Sequence, residues 1–246
     1  YNNPLPKWWL NMFYITLVFG VVYLLLYPGL GSFPGFLGWT SQGRYENEVK
    51  TAEESFKPLY DAYLATPIDE LVQNADAMGT AKRLYSTNCA ICHGADARGA
   101  TGFPNLRDNH WIWGGDEAAV KATLVNGRNA VMPGWVGVIG EEGVNAASEY
   151  VYSLTRDPLN PALVDAGKQH YDTLCAACHG ADAKGNVALG APNLTDDIWL
   201  YGGSLGVIRQ TLTSGRNGVM PAFGENLTES QIHLLTAYLQ NISDGE

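Results

Sequence analysis

From Trp8 to Tyr27 the chain reads WWLNMFYITLVFGVVYLLLY, 20 residues without a charge. As a helix at about 1.5 Å per residue this run is roughly 30 Å long, the thickness of a bilayer's hydrocarbon core. Trp8, Trp9, Tyr23 and Tyr27 lie towards its ends, where interfacial aromatics concentrate. Lys7 precedes it and Pro28-Gly29 ends it. The pattern predicts a membrane-spanning helix. A buried core helix or a signal peptide fits less well: the run is long for a signal sequence, and no small-x-small cleavage site follows. Residues 29–43 read as an interfacial loop. Residues 44–65 are polar and partly amphipathic, which predicts a helix interrupted near Pro58. Pro67 then punctuates the chain.

Beyond it the polar and apolar positions repeat. AKRLYSTNCAICHGADARG answers GKQHYDTLCAACHGADAKG at an offset of 86 residues. PNL at 104–106 answers PNL at 192–194 at an offset of 88, after a two-residue insertion. WIWGG (111–115) answers WLYGG (199–203), and NGRNAVMP (126–133) answers SGRNGVMP (214–221). Self-similarity at a fixed period marks a duplicated structural unit. The expected organisation is a transmembrane anchor at 1–30, an interfacial loop and helical linker at 31–74, one domain at 75–156, a linker at 157–161 and a second domain at 162–246. Each copy predicts a helix leading into the cysteine motif, a Gly-rich loop, a short helix, a Met-Pro loop and a closing helix. The closing helix is clearest at 228–242, where Thr228 and Gln231 form a capping box and Ile232, Leu235, Leu239 and Ile242 share a face. No convincing strand alternation is present, so the fold class is mostly α.

Composition narrows the class. The 246 residues carry a formal charge of −10, which argues against a nucleic-acid partner, since phosphates demand a basic surface. A hydrophobic content of 46% is enough to build cores. The acidity either steers a basic partner or only keeps the chain soluble.

All four cysteines lie in two Cys-x-x-Cys-His motifs: Cys89, Cys92, His93 and Cys175, Cys178, His179. Zinc, a redox dithiol and covalent haem c compete for that pattern. Haem is favoured on three grounds. The histidine follows the second cysteine directly in both copies, with no second histidine at a matching position. The repeat lacks the βαβ pattern of a thioredoxin. Each copy also has a Met-Pro downstream. Two covalently bound haems c are therefore expected, with Met132 completing the iron of His93 and Met220 that of His179. A thioether ligand favours Fe(II) and raises the potential relative to two imidazoles. His110, His170 and His233 have no histidine counterparts and are weaker candidates. Arg128 and Arg216 match across the copies; they either reach haem propionates or make loop-stabilising salt bridges. Trp111, Trp113, Trp199 and Tyr201 either cover the haem or simply fill cores.

Each copy resembles a class I cytochrome c domain, through CAICH and CAACH, PNL and VMP. The resemblance implies that the carbonyls of Pro104 and Pro192 accept the N–H of His93 and His179. It also implies that the helices entering and leaving each haem site pack together, with Tyr85 matched to Tyr150 and Tyr171 to Tyr238. The block NPLPKWW (3–9), the single span and YPGLGSFPGFLGWTS (27–41) resemble the membrane-anchored dihaem CcoP/FixP subunits of cbb3-type cytochrome c oxidases. That likeness implies a single-pass subunit of the bacterial inner membrane with its haem domains in the periplasm. Its expected role is to relay single electrons from a donor cytochrome c to a mono-haem cytochrome c subunit and a haem-copper catalytic subunit of a proton-pumping oxidase. The chain itself would do no bond chemistry. A membrane-anchored dihaem carrier, or the cytochrome subunit of a periplasmic dehydrogenase, would show the same haem motifs. A dihaem peroxidase would need a displaceable ligand, against which two intact Met-Pro loops argue.

Overall fold

The computed structural model describes residues 3–29 and 31–243, in two compact units, residues 1–59 and 60–246. In the first unit, α1 (Lys7–Leu26) is the one helix among the described residues that is long and apolar enough to cross a membrane. None of its residues is buried by protein. A helix leaves its last carbonyls without partners, and in lipid those must be met from within the chain. Here the N–H groups of Phe36 and Leu37 donate to the carbonyls of Leu25 and Leu26 at 2.9 and 3.1 Å. Tyr23 and Tyr27 stack with centroids 4.9 Å apart at the same end.

Helix α2 runs Ser41–Ala65 and is continuous through Pro58, where the sequence predicts an interruption. Proline removes one N–H from the ladder, and the surrounding turns continue. At the start of α2 the Gly43 N–H donates to Thr40 Oγ1 at 2.9 Å, supplying a cap. Gln42–Glu46 and Arg44–Glu48 support the helix as i,i+4 pairs, each at 2.8 Å.

The second unit begins with α3 (Ile68–Leu71), α4 (Ala75–Asn88) and α5 (Ala90–His93). The first repeat continues with α6 (Glu117–Asn126), strand β1 (Arg128–Met132) and α7 (Val136–Ser153). After a 3-10 turn at Pro161–Leu163, the second repeat carries α8 (Val164–His170) and a π-helical turn (Tyr171–Cys175). It goes on to α9 (Ala176–His179), α10 (Leu205–Ser214), strand β2 (Arg216–Met220) and α11 (Glu229–Ser243). The expected capping box forms: Thr228 N–H donates to Gln231 Oε1 at 2.9 Å, and Gln231 N–H to Thr228 Oγ1 at 3.3 Å.

Two features depart from the sequence expectation. The Met-Pro segments hold strands, and β1 and β2 pair antiparallel, with Arg128 opposite Met220 and Met132 opposite Arg216. The closing helices are also exchanged. Helix α11 of the second repeat packs on α4 and α6 of the first and on α3 just before it, while α7 of the first packs on α8 and α10 of the second. The tyrosines report the exchange. Tyr85 meets Tyr238 at 5.5 Å and Tyr150 meets Tyr171 at 5.2 Å, where the sequence expectation matches Tyr85 with Tyr150 and Tyr171 with Tyr238. Each closing helix therefore sits in the core of the other repeat.

A short connection explains half of this exchange. Few residues separate α7 from the next helical turn, and short helix–helix connections favour antiparallel neighbours. Glu149, 3% exposed, fastens that connection: its carboxylate accepts the N–H groups of Leu159 and Asn160 at 3.0 and 3.2 Å. At Gly167 the helices approach so closely that a Cβ would lie 2.0 Å from the Ala146 carbonyl oxygen. On α11, Ile232, Leu235 and Leu239 enter one core with Tyr85, Cys89, Val120 and Leu124. Leu234 and Ala237, on the neighbouring face, join a second core with Tyr63, Ile68, Leu71, Ala77 and Ala81. A third core joins Val144, Ala147 and Val151 of α7 to Tyr171, Ala183, Ile208 and Leu212 of the second repeat.

Candidate functional site

In each repeat one helical turn places the sulfur and imidazole groups together. Cys92 and His93 N–H groups both donate to the Cys89 carbonyl, at 3.1 and 3.0 Å. Positions i, i+3 and i+4 of a helix share a face, so both thiols and the imidazole project to one side. The same spacing recurs at Cys175, Cys178 and His179 around α9. Each turn ends on a left-handed glycine, Gly94 at φ 81° and Gly180 at φ 82°.

The loop that follows doubles back beneath the histidine. Gly99 N–H donates to the His93 carbonyl and Gly185 N–H to the His179 carbonyl, both at 2.8 Å. Ala97 and Ala183 take left-handed conformations (φ 62° and 59°) and are 2% exposed in the adjoining cores. The return brings the Pro104 carbonyl to 3.0 Å from His93 Nδ1, and the Pro192 carbonyl to 3.0 Å from His179 Nδ1. A carbonyl can only accept, so Nδ1 carries the proton and Nε2 keeps its lone pair for a metal. Burial lowers the His179 pKa, which favours the neutral, ligating form.

The thiols do not fit a redox dithiol. Burial pushes the Cys89 thiol up to about 11 and raises that of Cys175, whereas a reactive dithiol needs a depressed pKa. The four sulfurs form no disulfide, and among the described residues no group of three or more His, Cys, Asp or Glu side chains forms a metal cluster. Covalent haem suits the arrangement: two sulfurs and an available imidazole nitrogen on one face, above an apolar core. Trp199 Nε1 is buried without a partner in the Cys175 core, a donor that a haem carboxylate would satisfy.

The two methionines lie with the opposite repeats from those the sequence assigns. Met220 packs against the core containing Cys89 and Tyr85, and Met132 against the core containing Cys175 and Tyr171. Pairing His93 with Met132 and His179 with Met220 is thus not the grouping this fold brings together, because the Met-Pro strands cross between lobes. Trp111 joins the Cys89 core and Trp199 the Cys175 core.

Arg128 Nε donates to Thr123 Oγ1 at 2.8 Å, and its guanidinium lies 4.7 Å from the Trp113 ring centre. Arg216 Nε donates to Thr211 Oγ1 at 2.9 Å, and its guanidinium lies 4.3 Å from that of Tyr201. Neither has a carboxylate partner among the described residues, so the salt-bridge alternative finds no support. The other histidines have separate occupations. His233 bonds the Thr66 carbonyl at 2.9 Å, His110 lies 3.8 Å from Asp196, and His170 sits against Gly143 between α7 and α8.

Tyr171 and Tyr85 were not singled out as site residues by their chemistry, yet both brace the haem-motif turn. Their hydroxyls donate to the Gly180 and Gly94 carbonyls at 2.6 and 2.8 Å. Burial pushes the Tyr171 hydroxyl up to about 12. Tyr171→Phe is expected to lower unfolding free energy by about 1 kcal/mol, because a half-buried carbonyl loses its donor. Denaturant titration followed by the haem absorbance checks this; an unchanged midpoint would show that the bond contributes nothing.

Residues 1–34 match the family described as the N-terminal domain of cytochrome oxidase-cbb3, FixP. Residues 76–151 and 162–239 match the family described as cytochrome c oxidase, cbb3-type, subunit III. The cbb3-type cytochrome c oxidase subunit CcoP of Rubrivivax gelatinosus is 44% identical over 243 residues, covering 98% of this chain and 80% of its own. The CcoP subunit of Azospirillum brasilense is 36% identical, covering 100% and 92%. The FixP subunit of Sinorhizobium medicae is also 36% identical, covering 100% and 91%.

Proposed function

The chain belongs to the CcoP/FixP family of cbb3-type cytochrome c oxidase subunits, and from that premise we propose that it is the oxidase's dihaem electron relay. Its cytochrome c domains imply covalently bound haem c, and its family places it in a multi-subunit oxidase. In this reading two haems would be held, one by Cys89, Cys92 and His93, the other by Cys175, Cys178 and His179. Haem supplies a one-electron redox centre. The chain's own residues attach it, fix its imidazole ligand through Pro104 and Pro192, and keep water away with the tyrosine- and leucine-rich cores. Arg128 and Arg216, held by threonines and aromatic rings, are cations available to propionates.

Electrons would enter from a donor cytochrome c and leave towards a mono-haem cytochrome c subunit, which passes them to the haem-copper subunit that reduces O2. Helix α1 would hold the subunit in the bacterial inner membrane with the haem lobes in the periplasm, the compartment in which haem c is attached. The observation that carries the relay reading is the duplicated Cys-x-x-Cys-His turn, each with its Nδ1–carbonyl bond of 3.0 Å.

Affinity purification through a tag on this chain tests it. The expected result is co-purification of a haem-copper subunit together with two haems c per chain by pyridine haemochrome assay. Recovery of a dehydrogenase in place of the haem-copper subunit would overturn the oxidase assignment. Rapid peroxide turnover by the isolated chain would overturn the relay role.

A further inference from the structure

We infer that the elbow between α1 and α2 seats a zwitterionic phospholipid, a phosphatidylethanolamine. Its phosphate meets Arg44, its ammonium meets Glu48, and its acyl chains run along the bare flank of α1. This rests on the reading of α1 as a membrane span.

Depth is the first observation. The N–H groups of Phe36 and Leu37 donate to the Leu25 and Leu26 carbonyls, and a Cβ on Gly35 would lie 2.5 Å from the Leu26 carbonyl oxygen. The backbone of residues 35–37 is thus pressed onto the last turn of α1. Where α1 leaves the hydrocarbon, this loop lies at the headgroup boundary, the depth at which Trp and Tyr concentrate. Its side chains suit that depth: Phe36, Leu37 and Trp39 are 76%, 57% and 41% exposed. Tyr27 meets Trp39 edge-on at 6.0 Å and stacks on Tyr23 at 4.9 Å, so an aromatic column continues from the helix into the loop. Val22 and Leu25, at the same end of α1, are exposed too and offer an apolar track for acyl chains.

A groove of about 890 Å³ opens beside that column. Tyr27, Leu37 and Trp39 line it from the α1 side and the loop, and Arg44, Asn47 and Glu48 from α2. Apolar and charged walls in one groove that borders the membrane match the two halves of a phospholipid. The charges choose the headgroup. Arg44 Nε donates to Glu48 Oε1 at 2.8 Å, and both side chains are exposed. Among the described residues neither has another partner, so the terminal NH2 groups of the guanidinium and Glu48 Oε2 remain for a ligand. In phosphatidylethanolamine one oxygen and two carbons separate phosphorus from nitrogen, so one headgroup can meet one Arg–Glu pair. Each new hydrogen bond joins opposite charges, the stronger kind. The ammonium brings three N–H donors to Glu48, whereas a choline headgroup brings none. An anionic headgroup fits less well. Helix α2 carries three basic side chains against five acidic ones, while attraction to anionic lipid needs a basic cluster.

The test uses the oxidase complex purified through a tag on this chain and stripped of lipid in detergent. It is mixed with equal amounts of palmitoyl-oleoyl phosphatidylethanolamine, phosphatidylcholine and phosphatidylglycerol, and retained lipid is counted by native mass spectrometry. Phosphatidylethanolamine should be retained in preference. Arg44→Gln with Glu48→Gln should lower that retention about fivefold, the upper end for an exposed charge pair. Gln42→Ala with Glu46→Ala removes the neighbouring pair on α2, outside the groove, and should leave retention unchanged. Equal retention of the three lipids, no change in the Arg44–Glu48 variant, or displacement by inorganic phosphate alone overturns the proposal. A second measurement places the loop. A nitroxide on Phe36→Cys, read in nanodiscs of the same lipids with the haems reduced, should be open to oxygen and shielded from a water-soluble nickel chelate. Access to the chelate would put the loop in water, and shielding from both would mean that a partner subunit covers it; either result overturns the proposal. The same label on Phe19→Cys, midway along α1, tests the premise separately. Access of the chelate there would overturn the membrane-span reading itself, so the two failures are distinct.

Discussion

Leu235→Ala should lower unfolding free energy by about 2–5 kcal/mol, the usual range for emptying a fully buried leucine site. Leu235 is 0% exposed and packs with Tyr85 and Cys89, so the damage should appear at the haem motif of the first repeat although the substitution lies in the second. The measurement is thermal unfolding followed in single-motif chains. The chain keeping only the Cys89 motif should lose far more haem-linked stability than the chain keeping only the Cys175 motif. An effect confined to the Cys175 motif would mean that α11 closes its own repeat. The position equivalent to Leu235 is Ala147, 2% exposed against Tyr171 in the other lobe. The two cores are alike in plan and different in volume, and the leucine side is the one with more to lose.

Gly215→Ala is the second large effect. Gly215 ends α10 at φ +73° and ψ −176°, a region nearly confined to glycine, where an L side chain costs about 1–3 kcal/mol in backbone strain. The added Cβ would also lie 2.4 Å from the Met132 carbonyl oxygen and 2.7 Å from Gly134 N, and both are backbone atoms with little freedom to yield. A total loss above about 2 kcal/mol is therefore expected. Denaturant unfolding of the variant is the measurement. Gly206→Ala is the control within the same helix. Nothing lies within 4 Å of its Cβ position, so the substitution should stabilise by about 0.5–1 kcal/mol, the usual helical preference of alanine over glycine. Equal responses at the two glycines would show that Gly215 is not holding space for the crossing strand.

Much of this was legible in the residue order because it is local. The α1 span needs only a long uncharged run. The α11 start needs only Thr228 and Gln231 three residues apart. The haem-motif turn needs only the spacing of Cys89, Cys92 and His93, since a helix converts spacing into a shared face. The strands were less legible. RNAVM and RNGVM alternate buried and exposed positions, but over five residues that signal is too short to stand out beside neighbouring helices. Pro58 misled in the other direction: a proline can sit inside a helix when the turns around it remain bonded.

What the sequence determined by itself is the kind of chemistry and its duplication: an apolar anchor, two thiol–thiol–imidazole turns and two methionine segments, all read from neighbours along the chain. What only the tertiary structure decided is which core each methionine segment and each closing helix packs against. Both repeats carry a similar apolar pattern, so the pattern along the chain does not say which core each closing helix enters. The choice comes from long-range packing. The short connection after α7 turns it onto α8, α11 is left to fill the remaining groove on α4, and the β1–β2 register carries the methionines across with them.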